Sequence, residues 1–195
     1  MTTTGKPGKA ANGRAPDVDG LRWLVLVYKI PAEPSRLRAG VWRKIKNLGA
    51  IYLQNAVAAL PHSVGGERAF RMLRNEITEM GGSAFLLESD VLSGSADAVD
   101  AFNAARDTEY VEIVDKCQDF LKEIEKEERA SHFTFAELEE NDEDLTKLRT
   151  WLGKVEARDL LGASGRPAAK EALLACEQVL ERYAARVYAE EEGAH

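Results

Sequence analysis

Two clusters of basic side chains carry the clearest chemistry in this sequence. One follows Pro34, the other follows Gly66, and together they comprise Arg36, Arg38, Arg43, Lys44, Lys46, Arg68, Arg71 and Arg74. Guanidinium and ammonium groups hold phosphates and oxyanions through charge-assisted hydrogen bonds. Trp42 adds a flat surface beside the first cluster. We predict a nucleic-acid or anion-binding surface here, and the alternative is a solvated face whose partner is the acidic C-terminal part of the chain.

Helical spacing indicates which of these side chains share a face. At 100° per residue, Arg68, Arg71 and Arg74 form one outward ridge. Lys44, in contrast, falls on the apolar stripe of its predicted helix. Its ammonium must therefore extend to the surface or find a partner.

Residues suited to other kinds of chemistry are scattered. His62, His132 and His195 lie in separate segments, and the sequence has no Cys-x-x-Cys or His-x-x-x-His pair, so we predict no metal site and no cofactor. Cys117 and Cys176 fall within helical patterns and are typical of helix-core thiols. Acidic runs are typical of solvated helix faces. We predict no catalytic residue and favour a protein that is not an enzyme.

Charge is divided unevenly along the 195 residues. Residues 1–90 carry 13 Lys and Arg against 8 Asp and Glu, a net of +5, whereas the remainder carries 13 against 25, a net of −12. This asymmetry indicates a basic module joined to an acidic one, which either neutralises it or screens it from polyanions. A pI near 5.2 argues against a protein that coats nucleic acid over its whole surface.

The composition also bears on where the protein acts. No apolar run approaches the roughly 18–20 residues that span a bilayer, so we expect no membrane contact. Residues 1–20 lack the apolar stretch of a secretory signal and are predicted to be a disordered tail. Because no disulfide framework is expected from two distant cysteines, we predict a cytoplasmic location.

Residues 21–90 are predicted to form a ferredoxin-like domain of the α+β class. The expected strands are Arg22–Ile30, Ala50–Gln54, Val57–Leu60 and Ser83–Glu88, and the expected helices are Ser35–Leu48 and Glu67–Met80, with a loop over Pro61–Gly66. This β-α-β-β-α-β order is that of the split βαβ unit. The first strand is apolar without alternation, which indicates burial on both faces. We therefore expect a dimer partner or the remaining chain to cover the open face of the sheet.

Residues 91–195 are predicted to form an acidic α-helical module. A helical period begins at Ser95 and continues for roughly 30 residues. A short turn through Glu140 follows, and a further helix is expected from about Asp142, with acidic residues at its positive end. Gly162–Arg166 should break that helix, and Pro167 suits the start of a last helix ending near Glu191.

Six stretches of the chain together carry a resemblance to a known family. They are Trp23–Pro31 (WLVLVYKIP), Val41–Leu48 (VWRKIKNL) with Gly49 and Ala50, Gln54–Pro61 (QNAVAALP), Asn75–Leu87, Asn103–Tyr110 (NAARDTEY) and Phe133–Leu138 (FTFAEL). These stretches resemble the N-terminal domain of the chromate-resistance regulators called ChrB, over about residues 21–190. The resemblance implies a role in the response to chromate or oxidative stress, as a transcriptional regulator.

The predicted sheet domain is also similar to the C-terminal domain of PaaX-type repressors and to small CRISPR-associated nuclease-like proteins. In those nucleases an aspartate near the end of the first strand binds the metal, whereas this chain has Lys29 at the comparable place. A lysine is a cation at neutral pH and cannot ligate a hard metal ion. Nuclease activity by that route is therefore disfavoured.

Three functions remain open at this point. The leading hypothesis is a non-enzymatic regulatory protein of the chromate-resistance type, with a homodimer as one candidate assembly, which binds DNA or another anion through its basic helices. The second is an enzyme of stress resistance that handles a small molecule or oxyanion, with carboxylates or Cys117 in a pocket between the modules. The third is a protein-interaction adaptor whose acidic helices cover the sheet.

Overall fold

The structure is a computed structural model that describes residues 20–193, with side chains described up to residue 192. Residues 1–19 of the predicted tail, and His195, lie outside the described residues. The strands are β1 (Arg22–Lys29), β2 (Ile51–Gln54), β3 (Val57–Pro61) and β4 (Ser83–Asp90). The helices are α1 (Ser35–Asn47), α2 (Val64–Glu79), α3 (Ser95–Ala130), α4 (Phe135–Arg158) and α5 (Arg166–Gly193).

The four strands form one antiparallel sheet in the order β2-β3-β1-β4. The apolar β1 is a central strand, hydrogen-bonded to β3 on one side and to β4 on the other. The two short predicted strands, β2 and β3, pair as an antiparallel hairpin, with a register shift between Tyr52 and Gln54. The predicted α+β class is confirmed, and helices make up most of the described chain.

Helices α1 and α2 cover one face of the sheet and close a first hydrophobic core. Leu24 and Leu26 of β1 point into this core, where they meet Val41 and Ile45 of α1 and Phe70 of α2. All five side chains are at most 2% exposed. Burial of this apolar surface supplies the main driving force for packing the two helices on the sheet.

The opposite face of the sheet is covered only at one end. Phe102 of α3 packs edge-on against Trp23, with ring centroids 6.1 Å apart, so this part of the cover comes from the same chain. Farther along the same face, Phe85 and Leu87 of β4 remain 66% and 50% exposed. The expectation that this face would be covered is thus met in part by α3.

The C-terminal half is a bundle of three long helices around a second hydrophobic core. Its buried residues come from α3, α4 and α5, and include Tyr110, Ile113, Leu145 and Tyr183. Because Val99 and Phe102 pack on the sheet whereas the residues from Tyr110 onward lie in the second core, the 36-residue α3 is packed against both the sheet and the bundle. Among the described helices, none combines the length and apolar composition that crossing a bilayer requires.

Helix α2 begins three residues earlier than the sequence analysis predicts. Ser63 is its N-cap, and the Ser63 hydroxyl accepts a hydrogen bond of 3.0 Å from the backbone amide of Gly66. Gly65 and Gly66 therefore lie in the first turn of α2, not in a loop. A Cβ at position 66 would come within 2.6 Å of a Leu60 methyl group, so the helix needs glycine to pack closely on β3.

Helix α4 also differs from the prediction, because it is continuous where a break before Asp142 was expected. Thr134 caps it, accepting a hydrogen bond from the Glu137 amide, and the helix runs without interruption to Arg158. Asn141, a weak helix former, is buried and donates a 2.8 Å hydrogen bond to the Glu137 carbonyl. Asp142 and its acidic neighbours therefore lie inside the helix, where they do not act on its N-terminal dipole.

Candidate nucleic-acid interface

The first basic cluster lies on the solvent side of α1. Val41 and Ile45 face the sheet and are fully buried, which turns most of the charged positions outward. The helix places no acidic residue in its first turn and carries lysines in its last turn, where cations stabilise the negative end of the dipole. The exposed cations are Arg36, Arg38, Arg43 and Lys46, with the 52% exposed indole of Trp42 among them.

Lys44 lies on the side of α1 that faces α2. Its ammonium forms an ion pair with the carboxylate of Glu76, so the apolar-stripe position identified in the sequence does have a partner. The two side chains are 52% and 33% exposed. Such a pair contributes at most about 1 kcal/mol, and its main effect is to neutralise Lys44.

The ridge on α2 is only partly neutralised. Arg71 donates from Nε to Glu67 at 2.8 Å, and this hydrogen bond lowers the pKa of the exposed Glu67 carboxyl. Arg74 donates to the neutral Asn75 amide oxygen at 3.2 Å. Arg68 is exposed on the same ridge. The predicted ridge therefore keeps most of its positive charge.

Six of the eight predicted cations have no carboxylate within 4.0 Å among the described side chains. They are Arg36, Arg38, Arg43, Lys46, Arg68 and Arg74. The two partnered cations, Lys44 and Arg71, pair with Glu76 and Glu67 of α2, so neither uses an acidic residue of α3, α4 or α5. Since both helices lie on one face of the sheet, the structure brings all eight residues to the same side of the molecule.

A buried arginine, which the sequence analysis missed, joins the helical bundle to the sheet domain. Arg106 of α3 is 2% exposed, donates a 3.0 Å hydrogen bond to the Gly49 carbonyl and pairs with Glu109 at 2.9 Å. Burial lowers its pKa, while the neighbouring Glu109 opposes that shift. The sequence does contain a signal for this buried arginine, because Arg106 lies four residues from both Phe102 and Tyr110 and therefore falls on an apolar stripe.

Arg158, at the end of α4, completes this junction. Its guanidinium pairs with Glu109 and lies 3.5 Å from the Asn47 carbonyl, while Arg106 bonds the carbonyl of Gly49. Both arginines therefore contact the carboxyl end of α1, where unpaired carbonyls and the helix dipole attract cations. The contact between the halves thus uses cations of the acidic module and backbone carbonyls of the basic one.

Two aspartates hold the turn that connects α4 to α5. Asp159 accepts hydrogen bonds from the Tyr110 hydroxyl at 3.0 Å and from the amides of Gly162 and Ala163 at 2.9 Å. Burial, and then the bond to Asp159, raise the pKa of Tyr110. Asp107 accepts from the Gly165 amide at 2.7 Å. These carboxylates are used for structure, so they do not form a pair free for acid–base catalysis.

The geometry gives little support to a metal site or a reactive thiol. The part of the chain that the structure describes holds no group of three or more His, Cys, Asp or Glu that could bind a metal ion. Cys117 is fully buried, and its carbonyl accepts a 3.4 Å hydrogen bond from the Cys176 thiol. A side-chain hydrogen bond with the Cys117 thiol, and then burial, raise the pKa of Cys176. Neither thiol is placed to meet an external substrate.

A cleft of about 250 Å³ lies between the modules, where the second hypothesis expects a pocket. The described residues that line it include Asn47, Ser63, Gly65 and Arg158, and among them Arg158 is the one with an ionisable side chain. The carboxylates and Cys117 that this hypothesis requires are not part of the lining. The cleft therefore offers no general acid, general base or thiol nucleophile.

The fold and the site define an α+β protein that displays cationic helices beside an acidic helical bundle. A family model described as "Protein ChrB, N-terminal" matches residues 38–194, and the chain belongs to that family. Protein ChrB of Cupriavidus metallidurans is 30% identical over 90 residues, which cover 46% of this chain and 28% of the relative. The chain thus matches less than a third of that relative's length. No solved structure gives a significant match.

Proposed function

We propose that the chain is a non-enzymatic regulatory protein of chromate resistance that binds DNA, or a similar polyanion, through α1 and α2. Membership of the ChrB N-terminal family supports the regulatory role. The single observation that carries the polyanion part is the set of six exposed cations without a carboxylate partner among the described residues. These six cations are exposed although the net charge of the chain is −7.

The distribution of these cations favours an extended ligand over a small one. They are exposed along two helices, and a small oxyanion is instead held by several donors that converge in one enclosed site. A phosphate backbone repeats its charge along the duplex and can contact both helices at once. Trp42 lies among the α1 cations and offers a stacking surface for an unpaired base.

The positive charge of α1 and α2 explains how a protein with a negative net charge can bind a polyanion. The acidic residues concentrate in α3–α5, and those helices contact the sheet at Trp23 and the carboxyl end of α1. Among the described side chains, none of the eight cations of α1 and α2 pairs with a carboxylate of α3, α4 or α5. The acidic bundle then repels nucleic acid elsewhere, which would restrict binding to one orientation.

A salt titration with duplex DNA tests the proposal. Fluorescence anisotropy of a labelled duplex is measured from about 50 to 200 mM salt, and the slope of log K against log[salt] reports how many phosphates the protein neutralises. The ridge variant R68Q/R71Q/R74Q should flatten this slope by about 0.9 for each phosphate that it no longer neutralises. The α1 variant R36Q/R43Q/K46Q should do the same.

The matched control is K116Q/K122Q/K147Q, which removes the same charge from exposed lysines of α3 and α4. It should leave the slope unchanged, because its residues lie on the acidic bundle. No binding at the lowest salt would refute the proposal. An equal loss of slope in the control would also refute it, since binding would then follow net charge alone.

We further propose that residues 21–90 are a ferredoxin-like unit and that the protein acts in the cytoplasm. Support for the first comes from the antiparallel order β2-β3-β1-β4, with α1 and α2 on one face. Support for the second comes from Cys117 and Cys176, which are both free thiols. A mass shift by a thiol reagent on unfolded protein taken from cells checks that both stay reduced.

A further inference from the structure

The outer edge of β4 is long and open. β4 is the last strand in the sheet order and pairs with β1 over eight consecutive residues, from Ser83 to Asp90, without a bulge. Its sequence has no proline and no lysine, the residues that commonly protect an edge. The other edge strand, β2, has four residues and an irregular register. Within residues 20–193, only β4 thus offers a regular ladder of backbone groups without a strand partner.

The side chains of β4 differ between its two faces. Phe85 and Leu87 point to the open face of the sheet and are 66% and 50% exposed. They align with Val27 and Val25 of β1, so the apolar strip continues inward from the edge. Large apolar side chains that follow a free edge mark a site where another strand adds.

The charge of the side chains changes along β4, from basic beside its first half to acidic in its second half. This pattern is complementary to that of a second copy in the antiparallel direction. Arg71 and Arg74 of α2 line a cleft of about 370 Å³ beside residues 84–86, the first half of the strand. The acidic residues Glu88 and Asp90 lie in the second half, where their exposed carboxylates also contact Arg22 of β1 at 3.1 and 3.8 Å. Antiparallel pairing of two identical strands places the basic half of each against the acidic half of the other.

We propose that a second copy of this chain pairs its β4 antiparallel with this β4, about a two-fold axis at Leu86. Phe85 then lies opposite the partner's Leu87 on the open face, and Ala84 lies opposite the partner's Glu88 on the helix side. Residues paired in this way point to the same face, which keeps both faces continuous. An axis at Glu88 would instead bring two like charges together.

The dimer has one eight-stranded sheet, with α1 and α2 of both copies on the same face. The exposed apolar strip of each copy gains a cross-strand partner, and the free backbone groups of both edges are satisfied. The proposal goes beyond polyanion binding, because it concerns the β4 edge and its apolar side chains, and it shares only Arg71 and Arg74 with the proposed polyanion surface. It holds or fails whether or not the basic helices bind DNA.

Sedimentation velocity of the full chain tests the pairing. The wild type should have twice the 21.5 kDa mass of one chain, and the single variants F85K and L87E should each weaken association about tenfold or more. Both positions are exposed, so each variant should fold, as thermal unfolding would show. An equimolar mixture of F85K and L87E should regain the dimer, because the new lysine and glutamate then face each other.

The control is V111K, which changes a 57% exposed residue of α3 and should leave the mass at that of a dimer. A wild type that stays monomeric at all concentrations overturns the proposal. Dimers that persist in both single variants, or a mixture that fails to reassociate, overturn it too. A monomer that instead captures an acidic extended peptide at β4 assigns the edge to a different partner and likewise overturns it.

Discussion

The substitution Gly49→Ala tests the junction between the helical bundle and the sheet domain. Gly49 follows α1 in the left-handed conformation, with φ of 77°, and its carbonyl accepts the hydrogen bond from the buried Arg106. A Cβ at this position would lie 2.3 Å from the Arg106 guanidinium and 2.9 Å from the Arg158 Cβ. Alanine therefore forces the two arginines away from the end of α1.

Two effects set the size of the change. A left-handed residue other than glycine costs about 1–2 kcal/mol, and the loss of a hydrogen bond from a charged donor costs about 1.5–3 kcal/mol. We expect Gly49→Ala to lower the free energy of unfolding by about 2.5–5 kcal/mol. This is a large part of the roughly 5–15 kcal/mol that stabilises a typical domain.

Gly81 supplies a matched control, because it follows α2 in the same way. Its φ is 80°, and a Cβ there would have no heavy atom within 4 Å. Gly81→Ala should therefore cost only the conformational term, about 1–2 kcal/mol. Equilibrium urea unfolding of both variants gives the comparison. If the two lose equal stability, Arg106 does not secure the junction and the reasoning is refuted.

Two further predictions concern the turn between α4 and α5 and two buried tyrosines of the helical bundle. Asp159→Ala removes the acceptor of three hydrogen bonds and should lower the free energy of unfolding, measured in urea, by about 3 kcal/mol. The control Asp142→Ala changes an exposed carboxylate of α4, the helix that precedes Asp159, and should alter this free energy by less than about 0.5 kcal/mol. Burial raises the pKa of Tyr110 and Tyr183 above the usual value of 10.0, so their contribution is present below that pH and is lost as the pH rises beyond it. The free energy of unfolding should fall above about pH 10 by up to 1.4 kcal/mol per pH unit for each of these two tyrosines. Tyr110→Phe and Tyr183→Phe should each remove one such slope, and an unchanged slope in Tyr110→Phe would contradict this account.

Much of the sheet domain could be predicted from local pattern. The apolar run of β1, the turn residues near Asn55 and the three-and-four spacing of Phe70, Leu73 and Ile77 each leave one reasonable assignment. The family resemblance is confirmed, as is the mixed class. The predicted start of α2 was wrong, because glycines usually end helices. In the structure, Gly66 instead lets the first turn of α2 pack against Leu60.

Tertiary contacts decided the features that could not be predicted. The continuity of α4 through Asn141 depends on burial against the other helices, which offsets a weak local propensity. The role of Arg106 depends on Gly49, 57 residues away, and the spacing within α3 says nothing of that contact. The partners of Lys44 and Arg71 likewise follow from how α1 and α2 pack, and from the acids that α2 carries.

Helix α3 has a mechanical consequence for the whole molecule. At 1.5 Å per residue its 36 residues form a rod about 54 Å long. The first turns of this rod are fixed to Trp23, and the rest is fixed inside the bundle. A tilt of the bundle would therefore also tilt the first turns of α3, which hold the sheet. Because α3 is one continuous helix, a force on the bundle is transmitted to the sheet without a hinge between them.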